Sequence, residues 1–370
     1  MSAFAQSSVT ISGNVDLGLR NLKETLDSGV GASAVRKQSG PVGNGAAGWT
    51  SSALGLDIKE DLGNGTRAGY SAAMNLNSFG ASADSANQQL GTGRHSYAFI
   101  GNNLGEARIG YLYTTDDQIQ GGVGRATPTG NVGGRFQNYS FTSIPAGAGT
   151  QDFVSDYVTR TNGVELSTAA MNGFKGIVQW GRVKDEKTVT AQPVNGEANG
   201  KWQSVAATYN NGPLNLGASY ATLDTDTATQ NTALSVAGNK RKLATYAANY
   251  DLQVAKVFFN YTDRSNQASA LSVDTNKSKT KGYDLGVSAP FGATKLFAAI
   301  GNGTFKADNA AGVTQFDVRV KSYMVGATYD LSKRTSFNAY YSNMKATDQE
   351  IGATDSLKKT NIGAGLRHQF

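Results

Sequence analysis

The chain has 370 residues, among them 45 glycines, 16 tyrosines and 15 phenylalanines but no cysteine, which excludes disulfides, thiolate nucleophiles and thiolate-bound metals. Hydrophobic residues make up 39%, and no apolar run approaches the roughly 18 residues of a membrane helix. The net charge is +6 with Lys and Arg scattered rather than blocked, which argues against a nucleic-acid partner.

From the start of the chain, Ala3-Phe4-Ala5 before Gln6 reads as the tail of a small-x-small signal cleavage site. Residues 1–5 are therefore expected to be a residual signal segment of an exported protein, and residues 6–370 a single domain. From there on, helical periodicity gives way to period-two alternation. Val9, Ile11, Val15, Leu17 and Leu19 share one parity, and Thr10, Ser12, Asn14, Asp16 and Arg20 the other. The same alternation carries Ala68, Tyr70, Ala72, Met74 and Leu76, then Ala244 to Leu252, Tyr283 to Ala289, and Tyr323 to Leu331. Because a strand sends successive side chains to opposite faces, each stretch has one apolar face and one polar or small face.

Short connectors recur at residues 61–65, 102–105, 171–173, 210–213, 251–254, 290–293 and 330–333, all rich in the Gly, Asn, Asp or Pro of tight hairpins. Between them lie longer polar segments, at about 21–47, 79–93, 115–155, 186–199, 223–240, 265–279, 305–317 and 347–357. Seven short turns alternating with eight long loops separate sixteen strands of about ten residues, the length with which a tilted strand crosses a bilayer. In lipid every backbone amide must be paired, so such a sheet must close on itself. An all-β fold follows: a sixteen-stranded antiparallel transmembrane β-barrel with short turns at one end and long loops at the other. The last strand must then pair with residues 7–20, and Phe370 belongs to an aromatic girdle at the turn end, facing lipid. A soluble sandwich also alternates, but its apolar face is a core under short loops at both ends.

Four stretches carry a resemblance: SSVTISGNVDLGL (7–19), LGLDIKEDLGNG (54–65), YDLSKRTSFNAYYSNM (329–344) and GLRHQF (365–370). Together they resemble the Gram-negative general porins, nearest to β-proteobacterial and neisserial members, from first strand to last residue. The resemblance implies an outer-membrane location, a homotrimer of barrels, and a third loop folded into the lumen to narrow it. It also implies that Phe370 is a recognition mark for the barrel-assembly machinery. The third loop corresponds to residues 115–155, a connector too long for a compact domain unless it has a function.

By parity the lumen face carries Arg20, Lys59, Arg67, Arg108, Lys175, Lys256, Lys295 and Arg367, with Asp16, Asp57, Glu106, Glu165, Asp251 and Asp284. A narrow throat focuses the field of nearby charges. The candidate constriction residues are Arg20, Arg94, Arg125, Arg135 and Arg160, with Asp116 and Asp117 opposing the loop arginines. Arg160 matches the position where the resembled family places an arginine at the start of its sixth strand. The family's second-strand arginine is replaced by Ala53, its fourth-strand one by Ser96 with Arg94 close by, and its fifth-strand Gly-Arg by Gly110-Tyr111. The basic ladder of the family is therefore thinned.

The expected function is passive diffusion of small hydrophilic solutes and inorganic ions through a water-filled pore, with a weak anion preference. A substrate-specific outer-membrane channel for small organic anions is the alternative. The surroundings expected for such a barrel are outer-membrane lipid and lipopolysaccharide. The only histidines, His95 and His368, stand far apart, and HExxH, GxSxG and GxxxxGK[ST] patterns are missing, so no enzyme, cofactor or metal site is nominated.

Overall fold

The computed structural model describes residues 7–27, 34–43, 52–76, 90–124, 160–183, 200–225, 239–268, 277–308, 311–349 and 356–370. The strands of the first half are β1 (Ser7–Asp27), β2 (Ala34–Gly43), β3 (Ala53–Gly63), β4 (Thr66–Leu76), β5 (Leu90–Asn102), β6 (Gly105–Tyr113), β7 (Arg160–Thr168) and β8 (Phe174–Val183). Those of the second half are β9 (Gly200–Asn211), β10 (Leu214–Thr225), β11 (Asn239–Asp251), β12 (Lys256–Ala268), β13 (Lys277–Phe291), β14 (Thr294–Asp308), β15 (Thr314–Asp330), β16 (Thr335–Asp348) and β17 (Ser356–Gln369). Between β6 and β7 lies one helix, α1 (Thr115–Gly122).

From β3 to β17 each strand pairs antiparallel with the next, and β17 returns to β1 over Asn14↔Gln369 to Asp27↔Ser356. The opposite edge of β1 is shared. β3 lies along Ser7–Asn14 and β2 along Leu17–Leu26, so these two segments together form one stave. The barrel thus has sixteen staves, and it is antiparallel throughout. Where β2 and β3 part company, the Ser52 hydroxyl accepts the Asp16 N–H at 2.9 Å, covering an amide that would lack a strand partner.

Chain turns are tight at one end. Asn64 and Gly65 join β3 to β4 with φ of 52° and 74°, positive at both central positions as a type I′ hairpin needs. Asn172 and Gly173 repeat this between β7 and β8, with φ of 50° and 86°. At the other end the strands run further than alternation alone marks. β1 continues to Asp27 and is followed by β2, inside the segment 21–47 that reads as loop, and the segment 305–317 shrinks to the five residues between Asp308 and Thr314. On those ends the outward residues, among them Asn21, Lys23, Thr25 and Lys306, are polar, so the apolar half of the alternation is lost while the backbone ladder continues.

The faces are inverted relative to a soluble protein. Val178, Val205, Tyr246, Leu285, Ile300, Val325 and Ile362 are exposed, while their neighbours Gln179, Ser204 and Thr245 are buried on the inner side. Near the turn end, Phe291, Tyr329, Phe337 and Phe370 are exposed, and further along the staves the rings of Tyr246 and Tyr261 stand 6.3 Å apart and those of Tyr323 and Tyr341 5.9 Å apart. These are the two aromatic girdles of a membrane-crossing barrel.

Closure is finished by the last residue. Gly13 and Phe370 exchange backbone hydrogen bonds of 3.0 and 3.1 Å, and the Phe370 ring lies over Gly13, where a Cβ would come within 2.6 Å of the ring and of the Ala53 carbonyl oxygen. Replacing Gly13 by Val should destabilise the barrel by about 1–3 kcal/mol, the usual range for overpacking. It should read out as a lower urea midpoint and a smaller heat-modifiable fraction on a semi-native gel, while unchanged stability would mean that the ring swings aside freely.

Candidate functional site

The residue parity of the wall decides where α1 lies. Its neighbours are Ile177, Ala206, Gly217, Thr245, Ala247, Asn249 and Arg264, all on the face opposite to the exposed Val178, Val205, Leu216, Tyr246 and Tyr250. The helix is therefore inside the barrel, laid against the inner wall of β8 to β12. It is the ordered opening of the third loop.

Its sequence explains both its start and its seat. Thr114 caps the N-terminus, its hydroxyl accepting the Asp117 N–H at 3.3 Å, and Asp116 and Asp117 in the first turn suit the positive end of the helix. Ile119 and Val123 form its apolar side and pack with Ile177, Ala206 and Ala247. Gly217 leaves room for them, because a Cβ there would sit 3.1 Å from both. The polar side is tied down residue by residue. The Thr115 N–H donates to Gln179 Oε1 at 3.0 Å, Gln118 Nε2 to Glu165 Oε2 at 2.7 Å, and Asn249 Nδ2 to the Val123 carbonyl at 2.8 Å.

Two ion pairs fix the ends of this arrangement. Asp116 and Arg264 meet at 2.9 Å with side-chain exposures of 1% and 2%, and Asp116 also accepts from Thr245 and, at 3.1 Å, from Gln120. On the other flank Arg160 lies 3.6 Å from Asp117, donates to the Arg94 carbonyl oxygen, and covers the Tyr113 ring with its guanidinium 3.4 Å from the centroid. Beyond it runs a chain of alternating charge. Arg67 binds Glu106 at 2.9 Å, Glu106 binds Arg108 at 2.8 Å, and Arg108 binds Glu165 at 3.1 Å. Gln118 and Gln179 then join Glu165 to the helix, each at 2.7 Å.

Of the sequence-expected constriction residues, Asp116, Asp117, Arg160 and the Arg94 backbone come together here. Arg20 is half-buried on β1, opposite Gly363 in the β1–β17 ladder. Arg125 and Arg135 lie outside the described residues. Arg264, Gln179 and Glu165 carry the helix and were not among the candidate constriction residues. Parity with Phe258 marks Arg264 as inward-facing, but its partner is 148 residues away in sequence.

Asp57, Ser71 and His95 also meet on the wall, with Ser71 Oγ donating to Asp57 Oδ1 at 2.6 Å and standing 3.1 Å from His95 Nε2. The arrangement differs from a catalytic triad, in which histidine, not serine, bonds the carboxylate. Two large lumenal aromatics lie flat against the wall. Phe297 covers Gly326 and Tyr340 covers Gly363, each ring occupying the space of the facing residue's missing Cβ.

A family model described as Gram-negative porin matches residues 1–349 of this chain. The chain belongs to the Gram-negative porin family. Among curated proteins, Outer membrane porin protein 32 of Delftia acidovorans is 27% identical over 385 residues, covering 100% of this chain and 96% of that protein. An outer membrane porin of Bordetella pertussis is 29% identical over 183 residues, 44% of each chain. Among solved structures, an anion-selective porin from Comamonas acidovorans superposes with a TM-score of 0.66 at 22% identity, covering 99% of this chain and 100% of that one. OmpT of Vibrio cholerae follows at 0.61 and 13%, covering 98% of each. These likenesses establish the porin barrel, with its tight turns, girdles and inward helix, as an outer-membrane channel.

Two outcomes test this porin's constriction. Replacing Asp116 by Asn removes the Asp116–Arg264 ion pair, and losing one partner of a buried pair costs about 3–5 kcal/mol, so single-channel records should show a noisier open state as α1 detaches intermittently. A trace as quiet as the parent's would mean that the apolar seat alone holds the helix. Replacing Gly363 by Val should push the Tyr340 ring into the lumen and lower conductance, with ion preference unchanged.

Proposed function

We propose that this protein is a general diffusion porin with a mild anion preference, working as a homotrimer and delivered to the outer membrane after removal of a signal segment. The observation that carries the reading is α1 folded against the inner wall of a polar-lined barrel. The lumen holds water, and the helix laid against the inner wall reduces the cross-section that a solute can use. Movement is passive. Solutes diffuse down their gradients, and fixed charges bias which ions enter the narrowed zone. The reading needs no bond-making chemistry, and the Ser71 hydroxyl donates its hydrogen bond to Asp57 rather than to His95 as a triad serine would.

The charge arrangement favours anions for a local reason. Asp116 is covered by Arg264 and Asp117 is met by Arg160, so the carboxylates of the helix are neutralised where the passage narrows. Arg20 and Arg367 stand on the opposite wall, and Arg125 and Arg135 enter the reading from the sequence alone. The Comamonas porin of similar fold, which is anion-selective by its description, supports the same direction. A homotrimer accords with the trimer form recorded for the Vibrio OmpT barrel. Recognition of Phe370 by the assembly machinery fits its place as the residue that completes the ladder. A dedicated sugar slide is disfavoured, because Phe297 and Tyr340 lie flat over glycines instead of forming a stacking edge.

Reversal potentials across planar bilayers in a salt gradient test the proposal. The wild type should favour chloride over potassium. Arg160→Ala removes a cation and its 3.6 Å pairing with Asp117, so the potential should move toward cation preference. A wild type that favours potassium would overturn the anion reading, and an unchanged potential in Arg160→Ala would remove Arg160 from the filter. Saturable block of the current by a small organic anion would instead support the substrate-specific alternative.

A further inference from the structure

On the outer wall near the loop end, Lys321, Lys345 and Lys358 form an uninterrupted row. The ladder pairs Lys321 with Lys345 between β15 and β16, and Lys345 with Lys358 between β16 and β17. All three are exposed and outward, since Val320, Ser322, Met344, Ala346 and Leu357 beside them are buried on the inner side. Like charges directly opposite each other across strands repel. At the same level elsewhere, lysines meet acids: Lys279 and Lys281 reach Asp263 at 3.7 and 3.4 Å, and Lys306 reaches Asp317 at 2.9 Å. Among the described residues, no carboxylate forms an ion pair with any lysine of the row.

The position of the row fits an anion outside the protein. Tyr323 and Tyr341, with ring centroids 5.9 Å apart, belong to the loop-end girdle, and Lys321 stands two residues further along β15 than Tyr323, or about 6–7 Å at the usual strand rise. Ring girdles mark the edge of the hydrocarbon, so the ammonium groups reach the layer of lipid headgroups. Side chains opposite one another in a ladder have Cβ atoms about 4.5–5.5 Å apart, close enough for one phosphate to take charge-assisted hydrogen bonds from two lysines.

We propose that Lys321, Lys345 and Lys358 form a binding site for a phosphate-bearing lipid headgroup of the outer leaflet, held directly by the ammonium groups without a bridging divalent cation. Calcium or magnesium bridges need oxygen ligands from the protein, and the row supplies none from its side chains. The inference rests on the outer-membrane porin reading.

The test uses the full-length barrel in neutral detergent, with purified bisphosphorylated lipid A as the probe and EDTA present throughout. Wild type should bind the probe, and the triple variant Lys321→Gln, Lys345→Gln, Lys358→Gln should bind it roughly a hundredfold more weakly, given about a fivefold effect per lysine near an anionic surface. The triple Lys→Arg variant should retain binding, and monophosphorylated lipid A should fall between. Equal binding by wild type and the Gln variant would overturn the proposal, as would loss of wild-type binding on adding EDTA. Displacement of the probe by inorganic phosphate at comparable concentration would show a general anion site instead of a lipid site and would also overturn it. Single-channel conductance is recorded on the same samples. Gln-variant channels that conduct normally confine a negative binding result to this inference, whereas a wild type without conductance would refute the porin reading itself.

Discussion

Every backbone amide that crosses the hydrocarbon has to find its partner within the wall, and the rest of this structure follows from that constraint. A sheet with two free edges would leave a row of unpaired N–H and C=O groups in lipid, each costing several kcal/mol. The chain removes both edges by bringing β17 back to β1, and the closure extends to the final residue, where Gly13 and Phe370 exchange two hydrogen bonds. The even number of staves follows too, because only an even antiparallel set brings first and last strands together with opposite directions. Even the break between β2 and β3 obeys the rule, with a serine hydroxyl standing in for the missing strand at Asp16.

A closed barrel creates a second problem, namely what fills or narrows it. Sixteen staves enclose too wide a space for wall side chains to meet across it. The chain answers with α1, and the helix needs anchors on the inner wall that the barrel alone has no reason to carry. Gly217 clears a seat for Ile119 and Val123, and Arg264 and Arg160 take the two acids of the first turn. Charges that neutralise the helix acids are thereby the same charges that shape the field in the passage. Under the anion-preferring reading proposed above, anchoring of the helix and ion preference share these residues, so a change to one acts on the other. The flat aromatics serve the complementary need. With a glycine opposite, Tyr340 and Phe297 spread along the wall and shield backbone without occupying the solvent column.

The staves and the turns were legible in the sequence because their signals are local. Asn64-Gly65 and Asn172-Gly173 carry positive φ angles at the turn ends, and parity placed Arg67, Arg108, Glu106 and Glu165 on the inner face where they now form one chain of ion pairs. The loop-end strand extensions were not legible, because Lys277 to Lys281 are polar on both faces and Asn21, Lys23 and Lys306 put polar side chains on the outer face, so the usual alternation is lost. The constriction was legible only in part. Acids at 116 and 117 and an arginine at 160 stood out, but nothing local in the sequence pairs Asp116 with an arginine 148 residues on. Such pairings are fixed by barrel curvature, which period-two reading does not contain.

Parity also separates functions that lie one residue apart. Lys358 and Lys359 are neighbours in β17. Lys359 faces inward and binds Glu24 at 2.9 Å across the seam, while Lys358 faces outward in the ladder beside Lys345. A slip of a single residue in the β16–β17 register would exchange them, placing the Glu24 partner in the lipid interface and an unmatched cation in the lumen. It would also carry Leu366 and Ile362 from the apolar face to the water-filled one. Register at the seam is therefore held from three directions: by the lipid face, by the Glu24–Lys359 pair, and by Phe370 over Gly13. Which charges face the lumen and which face lipid is decided by that single alignment.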